Sequence, residues 1–442
     1  MCAAKSIFIN APTSKKDFVA KLQATPYNKT DSEKPMKEHL ANYRAVSKQP
    51  ALLMRRMECV PINKWKYQRF LNKSIVTKEQ RLKVTKGLGG KNNLLLDERQ
   101  SQTEMTIMEL KDISEKSNWS DSEAFRNNNK REIIYYINDL HVTDKDMELK
   151  NDAWVFEDLN MENMPEVSGV NTPWAYVGTT GSKFGVHLED SNIGGVNTLW
   201  EGAEKIWFCC DQREQFQNTL ETLYPVQYEG CWTYHRHKQF WVDPNMMAEK
   251  FGLTIYKIIQ KPGDTVVVWP GTWHWGFNRG FNCSMAVNYF PLNPKDVKMV
   301  LGAQQCKMSC ESPTIFMNLQ KLVPQEKFKC TQRKCGKEFC TKQGMKKHLL
   351  SLHKIPMKQV DSEIMDVKVK CFFCEKECSK ISDHQQLECD VMNVSFTCTL
   401  CRLQVPNARQ GLKDHFKICK VCLGCRDVFT NYEDALDHIC NQ

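Results

Sequence analysis

Long hydrophobic runs are missing from this sequence: no apolar stretch in its 442 residues approaches the roughly 18 needed to span a bilayer. The opening MCAAKSIFINAPTSKKDF holds no apolar segment of signal-peptide length, so a secreted product is not expected. No bipartite basic cluster marks nuclear import either. With secretion unexpected, a disulfide framework for the 21 cysteines is not expected either, because a reducing compartment keeps thiols free. What the chain does have is cysteine placed unevenly, with 13 of the 21 at or after Cys330. Cysteines used in number inside a cell usually bind metal. Hydrophobic residues make up 41% and mean hydropathy is −0.53, which predicts a soluble globular chain with some irregular stretches. At roughly 100–200 residues per domain, two to four domains are expected.

Composition divides the chain further. Residues 1–70 mix a short apolar start with Lys-rich helical patterning. Residues 71–132 are polar and repetitive in charge, with KGLGGKNN at 86–93 and FRNNNKRE at 125–132, which predicts a linker or irregular insertion. From 133 to 322 short β-like runs alternate with Gly, Pro and Asn: AWVF (153–156), WAYVG (174–178), KIWFCC (205–210) and DTVVVWP (264–270). Within this region helical patterning appears at 212–224 and 243–251. A β-rich sandwich or barrel with flanking helices is the expected core. Beyond it lie short Cys/His modules, 323–356 and 357–442, with too little core to fold without metal.

The chemistry is concentrated in His187-Leu-Glu189. A His-x-Glu pair puts two side chains on one face of a strand, and a second histidine from a distant strand would complete a facial triad suited to non-haem Fe(II). His274, in Trp269-Pro-Gly-Thr-Trp-His-Trp-Gly276, is the candidate. His-x-Glu alone recurs by chance in many proteins. Its company is more specific: GVNTPWAYVG, FGVHLED, EKIWF and HWGFNRGFNCSMAVNYF strongly resemble the jumonji-C (JmjC) histone demethylases, over about 150–320. Residues 5–66 resemble a degenerate JmjN segment through Phe8, Pro12-Thr13, Asp17-Phe18, Val60-Pro61 and Lys64-Trp65.

The resemblance implies a double-stranded β-helix (jelly-roll or cupin) core, and His187, Glu189 and His274 as iron ligands. It implies that Lys205 pairs with the distal carboxylate of 2-oxoglutarate, with Asn197 and Trp207 beside it. A lysine on the otherwise apolar strand KIWFCC does want a carboxylate partner, since a lone buried ammonium is costly. Tyr176, Ala286 and Val287 fall on the walls of the family's methyl-lysine pocket, and the small Ala286 leaves room for tri- and dimethyl-lysine. A family tyrosine that hydrogen-bonds the cosubstrate aligns with Phe156, or else Tyr136 supplies that hydroxyl. The implied reaction consumes O2 and 2-oxoglutarate, hydroxylates an N-methyl group of a methylated histone tail and releases formaldehyde and succinate. Protein hydroxylation, or a non-catalytic chromatin scaffold, remain as alternatives. The implied location is the nucleus.

Cys231-x5-His237 with Cys306-x3-Cys310 make a plausible closed zinc site, which the family also carries with a shorter second gap. His235 is a decoy for His237, and Cys209, Cys210 and Cys283 read as core thiols. Cys330-x4-Cys335-x12-His348-x4-His353 fits the C2H2 finger pattern, with Phe339 and Met345 at core positions. Weaker zinc modules follow: Cys371, Cys374, His384 and Cys389; Cys398, Cys401, His415 and Cys419; Cys422, Cys425, His438 and Cys440. Residues 321–354 hold ten Lys/Arg and two Glu, nearly the whole of the chain's net charge of +9. Residues 355–442 are net acidic, with eleven Lys/Arg against thirteen Asp/Glu. DNA contact is therefore expected of the first finger alone.

Overall fold

Apolar and β-branched runs become strands here, and the amphipathic stretches between them become helices. The computed structural model describes residues 19–27, 36–56, 64–86, 92–125, 134–141, 159, 161, 164, 166–224, 233–303, 319, 322, 328–332, 335–339, 342–365, 368–370, 376–378, 395–397 and 404–406. They fall in two units, Met1–Asn318 and Leu319–Gln442.

The first unit begins with β1 (Val19–Lys21), β2 (Ala24–Tyr27), α1 (Met36–Val46), β3 (Ala51–Arg56) and α2 (Lys64–Leu71). A long hairpin of β4 (Ser74–Lys86) and β5 (Asn92–Thr106) leads to α3 (Ile107–Glu115) and β6 (Ile134–His141). Next come β7 (Trp174–Gly178), β8 (Lys183–His187), β9 (Gly194–Gly202), β10 (Lys205–Cys210) and α4 (Arg213–Leu223). The unit closes with β11 (Phe240–Trp241), α5 (Pro244–Phe251), β12 (Ile255–Gln260), β13 (Asp264–Val268), β14 (Trp273–Asn278), β15 (Asn282–Tyr289) and α6 (Pro294–Leu301).

The strands form two sheets, one ordered β1-β12-β10-β14-β8 and one ordered β11-β5-β4-β6-β7-β15-β9-β13-β3-β2. Their inner faces meet in a core where Trp207, Cys209 and Ile258 of the small sheet pack on Ala51, Leu53, Val266 and Val268 of the large one. Each large aliphatic side chain so buried contributes about 1.5–3 kcal/mol. Helices cover the outer faces: α2 and α3 bury Phe70, Leu71, Ile107 and Leu110 against the large sheet. Phe216 of α4 and Met247 of α5 cover Trp273 and Trp275 of the small one. This is the expected β-rich jelly-roll core. Two expected helices are present as α4 and α5, the latter capped by Asp243 accepting from the Asn245 and Met246 amides and opened by Pro244.

The expectation of a linker at 71–132 is corrected. β4 and β5 pair continuously from Ser74↔Thr106 to Lys86↔Asn92, apart from one bulge, and β4 also pairs with β6. The repeated charges that suggested disorder are cross-strand partners: Arg81 faces Asp97 and Glu79 faces Arg99, with Lys83 Nζ 2.8 Å from Asp97. A ribbon wetted on one face reads as polar in composition while being ordered by opposite-charge pairs. Residues 1–70 are likewise no separate layer, since β1 joins the small sheet and β3 the large one.

In the second unit β16 (Phe328–Lys329) and β17 (Glu338–Phe339) form a small hairpin before α7 (Lys342–Ser351) and α8 (Met357–Met365). Phe328, Met345, Leu349 and Val360 form a buried apolar cluster in it, and Phe339 packs against them. Two short hairpins follow, β18 (Val369–Lys370) with β19 (Glu377–Cys378), and β20 (Ser395–Thr397) with β21 (Gln404–Pro406). No helix among the described residues is long and apolar enough to cross a membrane.

Candidate active site

The strand register brings the triad together. His274 on β14 lies directly opposite His187 on β8, and Glu189 follows two residues later. The ring centroids of the histidines are 4.0 Å apart, and His274 Nε2 lies 3.5 Å from Glu189 Oε1. His187 Nδ1 is 2.8 Å from the Gly185 carbonyl oxygen and His274 Nδ1 is 3.0 Å from that of Thr272. A carbonyl can only accept, so both Nδ1 atoms carry the proton and both Nε2 lone pairs face the site. Past Glu189 the chain turns back sharply through Ser191 and Asn192, both at positive φ (48° and 56°), a turn anchored by Asn192 Nδ2 donating to the Met299 carbonyl.

Protonation suits a cation. Burial, helped by His274 and Lys238, holds His187 well below its ordinary pKa, so the imidazole is neutral. Burial alone would raise the Glu189 carboxyl, but its neighbours His274, His187 and Lys238 outweigh it and hold the group well below the usual carboxylate range. One ligand atom from each of the three residues lies within 4.8 Å of the others. Two imidazoles that turn Nε2 to the site and a carboxylate on one side of a pocket fit a divalent iron with positions left open.

The triad opens onto a cavity of about 180 Å³ that also takes in Lys205, Asn197, Trp207, Tyr176, Ala286 and Val287. Lys205, 2% exposed, is ringed by aromatics, with Nζ 4.8 Å from the Phe184 ring centroid, 5.2 Å from Trp207, 5.6 Å from Tyr176 and 5.9 Å from Tyr136. Among the described residues no carboxylate pairs with it, and burial pulls its pKa down to about 7. An ammonium so desolvated fits a carboxylate ligand. Tyr136 is the neighbouring phenol. Burial, then Tyr176 and Glu98, push its pKa well up, so it stays a neutral donor. Phe156, the other residue considered for that role, lies outside the described residues.

Gln260, which braces cavity residues from behind, and several lining residues were not singled out in the sequence. Gln260 faces Lys205 across β10 and β12; its side chain accepts from Trp207 Nε1 (2.8 Å) and donates to the Asn197 carbonyl (3.0 Å). A polar residue closing the apolar strand IYKIIQ was the available signal. Phe184, Trp174, Asp190, Lys238, Asn288 and Glu98 also line the cavity, and nothing in their spacing announces it. Gly195 has a plainer reason, because a Cβ there would lie 2.3 Å from Glu189 Oε1.

Residues 174–289 match the JmjC domain, hydroxylase. The JmjC match runs from β7 through β15 and contains the triad, Lys205 and both walls of the cavity. The chain is also similar to lysine-specific demethylase 4D of Rattus norvegicus, 30% identical over 159 residues that cover 36% of this chain and 30% of that protein. Probable lysine-specific demethylase 4F of Homo sapiens is 30% identical over 159 residues (36% and 24%), and lysine-specific demethylase 4B of Mus musculus 30% over 155 residues (35% and 14%). The matched stretch thus spans less than a third of the length of each relative.

A second cluster, in the other unit, joins Cys330, Cys335, His348 and His353, again with all ligand atoms within 4.8 Å. Cys335 Sγ is 3.2 Å from His348 Nε2, Cys330 Sγ 3.5 Å from His353 Nε2, and the two Nε2 atoms are 3.0 Å apart. Bond lengths of about 2.0–2.3 Å make the edges of a tetrahedral zinc site about 3.3–3.8 Å, close to these spacings. Cys209, Cys210 and Cys283 are buried free thiols, as expected. Of the other expected zinc site only His237 is described, with Cys231, Cys306 and Cys310 outside the described residues. The ligands expected from Cys371 to Cys440 lie outside them too, as do Phe8, Pro12-Thr13, Asp17-Phe18 and Val60-Pro61.

Proposed function

We propose that the chain is an Fe(II)- and 2-oxoglutarate-dependent dioxygenase that removes N-methyl groups from lysines of histone tails. The observation that carries the reading is the conjunction, inside a JmjC match, of a His-Glu-His triad with a buried lysine that has no anionic partner among the described residues. His187, Glu189 and His274 would hold the iron. Lys205, Tyr136 and Asn197 would hold the cosubstrate, with Trp207 fixed beside them through Gln260. Bound there, iron and 2-oxoglutarate would supply the oxidising power that hydroxylates an N-methyl group with O2, leaving succinate, CO2, formaldehyde and demethylated lysine. The protein's own part is to turn both imidazole Nε2 atoms to the iron, neutralise the distal carboxylate and hold the methylammonium in a pocket from which water is excluded.

That pocket has Tyr176 and Trp174 as aromatic walls, Trp174 being held by its Nε1 donating to Ser168 Oγ at 3.1 Å. Aromatic faces favour a quaternary ammonium. Ala286, directly opposite Trp174 in the β7–β15 register, and Val287 add no hydroxyl, so tri- and dimethyl-lysine are the favoured substrates. Mass spectrometry of methylated histone peptides with Fe(II) and 2-oxoglutarate tests the assignment. Demethylation removes the mass of a methylene, hydroxylation adds that of an oxygen, and a scaffold changes nothing. Full activity in His187→Ala would remove the mechanism, and a clear preference for monomethyl-lysine would remove the pocket assignment.

For the second unit we propose a zinc finger held by Cys330, Cys335, His348 and His353, with nuclear DNA as its partner. The basic excess of 321–354 supports phosphate contact, although Lys346 is already paired with Asp361 of α8. DNA affinity that falls steeply with added salt is the expected result.

A further inference from the structure

The β4–β5 hairpin carries one charged residue to the cavity, Glu98, which is exposed at its rim while His187 and His274 are buried. Its carboxylate is held at both oxygens. Gln80 Nε2 donates to Oε1 at 2.5 Å and Asn138 Nδ2 donates to Oε2 at 3.1 Å. Gln80 is itself immobilised: it is 2% exposed, its Oε1 accepts from the Lys183 amide at 2.7 Å and its Nε2 donates to the Lys183 carbonyl at 2.6 Å. The anchor is thus the first residue of β8, the strand that ends in His187. Asn138 is steadied in turn by Lys78 Nζ donating to its Oδ1 at 2.7 Å. Both fixed donors are neutral amides, so the carboxylate is aimed without being neutralised by them.

The charges lining the cavity show what such a group is for. Glu98, Glu189 and Asp190 are acidic and Lys205 and Lys238 basic, in addition to the two histidines. Glu189 is committed to the iron and Lys205 to the cosubstrate, and a methylammonium is a single cation. Glu98 is not needed for any of these, and its exposure leaves it within reach of a polypeptide that delivers a lysine to the cavity. We propose that Glu98 is a specificity-determining residue that receives a second cationic side chain of the substrate, so that the preferred substrate is a methyl-lysine peptide with an arginine or lysine nearby. The inference rests on the demethylase reading for the lysine and on the cavity geometry for its neighbour.

Peptide binding separates the two. Fluorescein-labelled trimethyl-lysine peptides carrying one Arg at successive flanking positions, or Gln at the same places, are titrated into the full chain and read by anisotropy, which needs no turnover. The expected result is one flanking position at which Arg binds about fivefold tighter than Gln at low salt. The advantage should shrink as the screening length falls from ~10 Å at 0.1 M salt to ~3 Å at 1 M. In Glu98→Gln the ratio should fall to about one, and in Glu98→Lys it should invert. A wild-type ratio near one at every position overturns the proposal, as does a ratio unchanged in Glu98→Gln. A Glu98→Gln variant whose altered affinity is for 2-oxoglutarate instead, Tyr136 being adjacent, overturns it as well. Arg-selective binding with no demethylation would remove the demethylase reading and leave this one standing.

Discussion

Lys205 shows how one buried side chain ties ligand binding to pH. With its pKa pulled down to about 7, it is ammonium below that pH and neutral above it. A carboxylate ligand requires the ammonium, so affinity for 2-oxoglutarate should fall toward tenfold per pH unit above about 7, with a proton taken up on binding. Calorimetry in buffers of different ionisation enthalpy measures that uptake. In the ligand-free chain the stability effect has the opposite direction. An unfolded lysine titrates near 10.4. Between about 7 and that value the unfolded state binds more protons, so stability rises with pH. Lys183, lowered by burial to about 8, adds in the same direction over a narrower window. Gly195 makes a steric prediction instead. In Gly195→Ala a Cβ would stand 2.3 Å from Glu189 Oε1, and backbone on a paired strand yields little. Fe(II) affinity, read by metal titration, should drop at least tenfold while the circular dichroism spectrum stays native.

Among the elements, the β4–β5 hairpin depends on one glutamine. Gln80→Ala would leave the Lys183 amide and carbonyl, both in a buried setting, without the partners they have now. Orphaned buried polar groups cost about 1–3 kcal/mol each. A loss of about 2–4 kcal/mol in denaturant unfolding is expected, together with loss of the Arg preference assigned to Glu98. The same hairpin illustrates what composition conceals. Its charges are legible as charges, but whether Arg81 and Asp97 are solvated neighbours of a loop or opposed partners on two strands depends on register. By contrast α4 and α5 were readable locally, because an apolar period of about 3.6 residues is written within one element, to which α5 adds its Asp243 cap and Pro244 in the first turn.

For the whole molecule the two units differ in what holds them. The first buries two sheets and their covering helices, whereas the described core of the second is four apolar side chains beside a Cys/His cluster. A small core next to four metal-ligand side chains predicts metal-dependent folding. Zinc chelation should therefore abolish the finger's protected amides in hydrogen exchange and leave those of the jelly roll intact. Cys335→Ser should lower bound zinc, measured by elemental analysis, with the same regional pattern.

His187 and Glu189, Lys205 and the set Cys330, Cys335, His348 and His353 were legible as candidates in the sequence alone, because chemistry at fixed short spacing is written without a fold: His-x-Glu, a lysine inside an apolar strand, C-x4-C with H-x4-H. The tertiary structure decided the rest. It set His274 against His187 across eighty-odd residues of chain, by strand register. It brought Gln260 to Trp207 and Asn197, put Tyr136 beside Lys205, and carried Glu98 from a supposed linker to the rim of the cavity. These placements depend on which strands pair and which faces turn inward, and long-range pairing leaves no trace in the local pattern of residues.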